Sequence, residues 1–267
     1  MTILRKGATG RAVTHLQGLL GAAGFPVVND GWFGGTTEAA VLRAQIHYGI
    51  MPDGIAGPQT ITALTSGRRD PRHMTYAAIE RAAAELAAPV SHILAIAQVE
   101  SAGDGFLPDG RPKILYERHV MYRRLAEARL DADALADRYP ALVNPRRGGY
   151  MGDAFEHGRL KSARMIDDPA ALESCSWGAF QIMGYHWQAI GYDSVQHFVL
   201  CMQKDEDLQL AALVRFILAD PKLHAAVKAG KWPTVARIYN GPAYAEHAYD
   251  TRLAAAARRY AVLEAAA

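Results

Sequence analysis

Glu100 closes the apolar run Ile93-Leu94-Ala95-Ile96-Ala97-Gln98-Val99-Glu100-Ser101-Ala102-Gly103, so a carboxyl group is delivered where water is scarce. The alanine content, Pro89 ahead of the run and Gly103 behind it predict a core helix of about three turns with Glu100 at its C-terminal end. The partial negative charge of a helix C-terminus disfavours a carboxylate there, and desolvation acts in the same direction. Both raise the pKa of Glu100, which is what a general acid requires. The same residues also fit a plainer role, in which Glu100 pairs with an arginine or faces solvent, because structural ion pairs perturb pKa values too. A second carboxylate of interest is Glu117, in Lys113-Ile114-Leu115-Tyr116-Glu117-Arg118-His119, a stretch that reads as a strand or as the start of a helix.

The 267 residues suffice for one large domain or two ordinary ones, and with 50% hydrophobic and 21% charged residues a sizeable core can be buried. A formal net charge of +2 and the lack of any long basic block give no sign of nucleic acid as a partner. The two cysteines, Cys175 and Cys201, make no disulfide framework and no Cys-x-x-Cys pair. The ten histidines form no His-Glu-x-x-His or comparable pair, so no metal and no cofactor is expected. No segment reaches the roughly 18 apolar residues of a membrane span, and Met1 to Gly7 lacks an apolar stretch of secretory length.

Along the chain, Val13, Leu16, Gln17, Leu19 and Leu20 predict an amphipathic helix, and an internal repeat follows. Asp30-Gly31-Trp32-Phe33-Gly34-Gly35-Thr36-Thr37 recurs as Asp53-Gly54-Ile55-Ala56-Gly57-Pro58-Gln59-Thr60, sharing Asp-Gly-x-x-Gly-x-x-Thr. Each copy is a glycine-rich turn entering a short helix, which predicts a small three-helix unit. Trp32, Phe33 and Tyr48 are candidates either for stacking on sugar or for the core, with Phe33 assigned to the core. Together with Leu4-Arg5-Lys6-Gly7, Leu16-Gln17, Gly24-Phe25, Gly49-Ile50 and Leu64, this pattern resembles the peptidoglycan-binding domain type 1 family across residues 1–66. The resemblance implies attachment to the cell wall, with Asp30, Trp32 and Asp53 as the wall-binding residues. Residues 67–73, polar and broken by Gly67 and Pro71, read as a linker, after which Thr75 caps a helix through Ile79 and Leu86.

Three separated pieces of residues 74–267 share one explanation: Glu100-Ser101, Ser176-Trp177-Gly178-Ala179-Phe180-Gln181-Ile182-Met183, and Tyr239-Asn240-Gly241. Together they resemble the lysozyme-like superfamily, in the arrangement of goose-type lysozymes and lytic transglycosylases. With Asp109-Gly110-Arg111-Pro112-Lys113-Ile114-Leu115-Tyr116-Glu117-Arg118-His119, the resemblance narrows to the N-acetylmuramidase domain of modular phage endolysins. It implies a mainly α protein, the three-helix wall-binding domain being followed by a larger helical lysozyme-like domain with little or no β. It further implies hydrolysis of the β-1,4 bond between N-acetylmuramic acid and N-acetylglucosamine, with Glu100 as acid and Glu117 as base or electrostatic stabiliser. Ser101 and Ser176 would orient Glu100 by hydrogen bonds, while Gln181, Tyr239 and Asn240 would hold the sugar or shape the floor of the site. The partner implied is peptidoglycan, met by a monomer without stable membrane insertion. The protein would be made in the host cytoplasm without a signal peptide and reach the wall, in the periplasm, after a membrane lesion. The alternatives are a lytic transglycosylase, which closes an anhydro ring instead of adding water, and a non-catalytic wall-binding protein.

Overall fold

The computed structural model describes residues 3–101 and 104–265, so the predicted helix stop at Gly103 lies outside the described residues. The chain divides into two compact units, Met1–Arg81 and Ala82–Ala267. The first contains α1 (Arg11–Ala22), α2 (Gly35–His47) and α3 (Pro58–Ser66) around a core that includes Leu16, Leu20, Phe33, Val41 and Leu64. Phe33 is fully buried there, as expected of it, and Tyr48 packs half-buried against the same core. Helices this short are marginal in isolation, so their mutual packing is what keeps them formed.

The division between units falls within α4 (Tyr76–Leu86), beyond the 67–73 segment expected to link two domains. Backbone pairing explains the shift, because Ile50 bridges Thr75 and the Tyr76 amide donates to the Gly49 carbonyl at 3.4 Å. The expected cap is present, with the Ala78 amide donating to Thr75 Oγ1 at 3.0 Å. The 67–73 segment is tied down locally as well, since Arg69 donates to the carbonyls of Asp70 and His73.

In the second unit α5 (Val90–Glu100) is buried almost all round, and Ile93, Leu94, Ile96 and Val99 are at most 8% exposed. A helix that is apolar on every face belongs inside a domain. Then come β1 (Ile114–Tyr116), α6 (Arg118–Glu127), α7 (Ala132–Arg138), α8 (Asp153–Arg164) and α9 (Asp168–Glu173), with β2 (Cys175–Trp177) and β3 (Ile182–Met183) after them. The unit closes with α10 (Val195–Lys204), α11 (Glu206–Ala219), α12 (Pro221–Lys228), α13 (Trp232–Asn240) and α14 (Tyr249–Ala265), the last packing along α5.

The protein is mainly α, and its small β content is concentrated in one antiparallel sheet of order β1-β2-β3. The stretch that reads as strand or helix start is both, β1 ending at Tyr116 and α6 beginning at Arg118. Ile114, Trp177 and Ile182 lie opposite one another and form the buried face, while Leu115, Ser176 and Met183 share the other face.

Candidate active site and its supports

Glu100 sits at the last turn of α5, and Asn240, the last residue of α13, donates from Nδ2 to Glu100 Oε1 at 3.0 Å. Burial raises the pKa of Glu100 above the ordinary carboxylate value, and the Asn240 hydrogen bond and the Arg252 charge on α14 only partly offset it. Tyr239 lies beside it: its hydroxyl donates to the Phe180 carbonyl at 2.6 Å, and burial followed by the Glu100 charge pushes its pKa well up. Asn240, Tyr239 and Gln181 all line a cavity of about 650 Å³. Of the three separated sequence pieces, the structure thus joins the first to the third by a direct hydrogen bond and the second to the third through Phe180 and Tyr239.

Ser176 does not act as expected. Its hydroxyl donates to Gln181 Oε1 at 2.6 Å, and the hydrogen bond to Glu100 comes from Asn240 instead. The reason is local: Gln181 has a φ of 51°, a left-handed conformation costing a non-glycine residue about 1–2 kcal/mol. The turn folds its side chain back, so that the Gln181 amide also donates to the Gly178 carbonyl at 2.8 Å. Ser176 therefore stabilises the turn carrying Gln181, and Ser101 serves as the C-cap of α5, its amide donating to the Ala97 carbonyl at 3.2 Å.

Glu117 is an extended residue whose amide donates to the Ser174 carbonyl at 2.8 Å, which continues the β1–β2 pairing by one step. Neither of the nearby arginines Arg111 and Arg118 neutralises it, because Arg111 pairs with Asp109 and Arg118 donates to the carbonyls of Pro140, Arg146 and Arg147. Instead Tyr150 donates its hydroxyl to Glu117 Oε2 at 2.8 Å, and His119 Nδ1 lies 3.1 Å from the same oxygen. The groups acting on Glu100 are Asn240 and Arg252, so the two carboxyls share no partner among those contacts.

Two supports behind the site were not singled out from the sequence. Gln209, 1% exposed on α11, accepts from the Ala179 amide at 2.7 Å and donates to the Met202 carbonyl at 2.9 Å. It occupies the space a Cβ would need at two glycines, since such an atom would lie 2.1 Å from Gln209 Oε1 at Gly105 and 2.5 Å from Gln209 Cδ at Gly178. The amide thus ties the segment after Glu100 to the turn of Gln181, and Glu206 Oε1 holds the Gly105 amide at 2.6 Å. A lone glutamine within the apolar stretch Leu208–Val214 of α11 was the available signal.

The other support is Glu156, fully buried on α8. Its carboxylate accepts from the amides of Tyr116, Met151 and Gly152 and from Arg159 Nη1 at 2.8 Å. Arg159 also donates to the Tyr116 and Ala141 carbonyls. These hydrogen bonds, with the Arg159 charge, hold Glu156 below its ordinary pKa in spite of its burial. The pair pins the segment whose Tyr150 reaches Glu117.

In the first unit the repeat is duplicated atom for atom. Gln17 Nε2 is 2.8 Å from Asp30 Oδ1, 3.1 Å from the Trp32 carbonyl and 3.2 Å from Thr37 Oγ1. Gln45 Nε2 stands at 2.7, 3.0 and 3.1 Å from Asp53 Oδ1, the Ile55 carbonyl and Thr60 Oγ1. Each aspartate also accepts the amide two residues on, and each following glycine has a φ near +70° and donates to the glutamine Oε1. Asp30 and Asp53, expected to meet the wall, are therefore committed to holding their own turns, and the Trp32 amide with Gln17 keeps the Asp30 carboxyl below its usual value. Trp32, in contrast, is 59% exposed. Trp32→Ala is expected to weaken retention on purified cell walls by about tenfold, the scale of burying one aromatic face, without unfolding the unit. Pull-down on sacculi together with circular dichroism checks this, and unchanged retention would remove Trp32 from the wall contact.

The comparisons with known proteins accord with these arrangements. Residues 89–261 match the model of the N-acetylmuramidase family, and residues 9–64 match a putative peptidoglycan binding domain. The chain is 52% identical to the endolysin of a Burkholderia phage, AP3, whose crystal structure it resembles with a TM-score of 0.93 over 97% of this chain and 99% of that one. It is also 41% identical over 86 residues to a zinc D-Ala-D-Ala carboxypeptidase of Streptomyces albus G, covering 29% of this chain and 33% of that protein. A probable N-acetylmuramoyl-L-alanine amidase of Bacillus licheniformis is 45% identical over 67 residues, 24% of this chain and 19% of that protein. The chain thus spans a third or less of these two curated relatives, whereas it spans nearly all of the phage endolysin. With the family model covering the unit that carries Glu100, Gln181 and Asn240, the chain belongs to the N-acetylmuramidase family and carries a peptidoglycan-binding domain ahead of its muramidase domain.

Proposed function

We propose that this chain is a peptidoglycan-binding, cell-wall-hydrolysing endolysin in which Glu100 donates the proton that breaks the β-1,4 bond after N-acetylmuramic acid. The observation that carries this is the placement of Glu100: a desolvated carboxyl with a raised pKa, hydrogen-bonded by an asparagine that itself lines the cavity. Glycosidic cleavage needs a proton on the leaving oxygen and a means of stabilising positive charge on the sugar ring. A carboxyl whose surroundings favour its protonated form is suited to the first need. Residues 1–66 hold the wall and residues 74–267 cut the glycan; the protein works on the wall from the periplasm once the membrane is breached.

For the second need we assign Glu117, whose Oε2 is fixed by Tyr150 and His119 while its backbone continues the sheet that carries Ser176. Glu117→Gln is expected to lower kcat by about 10- to 100-fold, less than loss of the acid, with KM little changed. Wild-type kcat in this variant, measured on soluble glycan strands, would leave Glu117 a binding role only. Mass analysis of the products tests the reaction itself: hydrolysis gives reducing ends one water heavier than the anhydro ends of a transglycosylase, and anhydro products would overturn the hydrolytic assignment.

Asn240 offers a check on the acid through pH. The protonated acid is the active form, so rate falls on the alkaline side as Glu100 loses its proton. The Asn240 hydrogen bond favours the carboxylate and opposes the effect of burial. Asn240→Ala is therefore expected to raise the Glu100 pKa further and move the alkaline limb of the pH–kcat profile to higher pH. A limb that stays in place, or moves down, would detach it from Glu100.

A further inference from the structure

The cavity extends beyond Asn240 along an aromatic wall. From Tyr239 the rings run to Phe216 at 6.0 Å, from Phe216 to His186 at 5.1 Å and from His186 to Tyr185 at 4.4 Å, and all four residues line the cavity. Burial holds His186 below its ordinary pKa, so the wall carries no charge at neutral pH. At its end the guanidinium of Arg123 lies 5.4 Å from the Tyr185 ring centroid. Its acidic neighbour on α6, Glu127, is only loosely engaged by Arg123, at 3.8 Å, because its other oxygen is bound by Arg124. Arg123 and Arg147 also both act on His119, which burial and then these charges hold below its ordinary pKa against the pull of Glu117. The acid of the cavity lining, Asp220, turns its Oδ1 onto the first amides of α12. The cavity therefore runs from Asn240, the residue that holds Glu100, along an uncharged aromatic face to Tyr185, beside which Arg123 stands.

We propose that this edge, marked by Arg123, is a subsite for a carboxylate borne on the muramic acid residue, and that the enzyme selects glycan carrying that acidic substituent. The inference rests on the muramidase assignment and adds which feature of the glycan is read. Muramic acid differs from its neighbouring sugar by an O3 lactyl group, which carries a free carboxylate or a peptide stem with carboxylates of its own. Sugar rings present C–H faces that suit an aromatic wall, and an anion at the end of that wall meets a cation whose local counter-charge is weak. Neutral amino-sugar polymers lack such an anion.

The test crosses the charge of the enzyme with the charge of the substrate. Soluble glycan–peptide fragments are prepared from purified sacculi, and half are treated with carbodiimide and ammonia to turn their carboxylates into amides. Amidation is expected to lower wild-type kcat/KM by about two- to fivefold. Arg123→Gln should lose a similar factor on the native fragments through KM, with kcat held, and lose nothing further on amidation. Arg123→Lys should keep the wild-type response, because the charge is what counts. A wild type indifferent to amidation, an Arg123→Gln variant that still responds to it, or an Arg123→Lys variant that behaves like Arg123→Gln would each overturn the subsite. Failure of the underlying assignment would show separately, as hydrolysis that persists in Glu100→Gln.

Discussion

Glu100→Gln is expected to lower kcat on purified peptidoglycan by about 10²–10⁴-fold, the range for loss of a positioned general acid. The substitution keeps the shape of the side chain and keeps an oxygen for Asn240 Nδ2, which lies 3.0 Å from Oε1 in the native protein. It removes only the transferable proton, so wall binding and KM should change little. The same variant is expected to be at least as stable as the wild type at neutral pH. Glu100 has a folded pKa raised by desolvation, so the folded state holds its proton over a range where the unfolded chain has already released it. Stability then falls as pH rises from the ordinary carboxylate value through the raised one, and the full cost of burying the charge is present above it. A glutamine side chain carries no such cost. The gap in melting temperature between variant and wild type should accordingly open as pH rises through that window and close below it. Normal turnover by the Glu100→Gln variant would end the role of Glu100, and a variant whose stability relative to wild type falls as pH rises from the ordinary carboxylate value would contradict the desolvation that underlies it.

The largest effect on stability is expected away from the cavity, at Glu156→Ala. Removing this carboxylate leaves Arg159 charged at 5% exposure, orphans the buried Tyr116 amide and takes the acceptor away from the part-buried amides of Met151 and Gly152. Breaking a buried ion pair by deleting one partner costs about 3–5 kcal/mol, a large part of what an ordinary domain has to spare. Arg159 keeps its bonds to the carbonyls of Tyr116 and Ala141, which favours the lower half of that range. Urea unfolding of the variant measures the loss. Because Met151 follows Tyr150 directly, the hydroxyl contact to Glu117 should loosen too, and residual activity at low temperature should fall toward that of Glu117→Gln. A loss below about 1 kcal/mol would mean that water replaces the carboxylate and that the segment does not depend on it.

Much of this was legible before the fold was known. The Asp-Gly-x-x-Gly-x-x-Thr repeat announced two equivalent turns, and the apolar run ending at Glu100 announced a buried helix with an acid at its end, because both signals are local and periodic. The partners within those motifs were harder to assign. Aspartates in glycine-rich turns look available for a ligand, but Asp30 and Asp53 are consumed by glutamines that lie 13 and 8 residues earlier in the chain. Ser176 looked like a partner for Glu100, and the positive φ of Gln181 captured its hydroxyl instead.

By itself, the sequence determined the helix of the apolar run, the repeated turns of the first unit and the placing of an acid at a buried helix end, since residue type and short-range spacing suffice for those, while the two kinds of module were implied by resemblance to known families. Only the tertiary structure decided that Asn240, 140 residues from Glu100, is the group that holds it. Likewise it took the fold to bring Gln209 against Gly105 and Gly178, Glu156 against β1, and Arg123 to the end of the aromatic wall. Such contacts join side chains on separate elements, and no periodicity along one element encodes what packs against it.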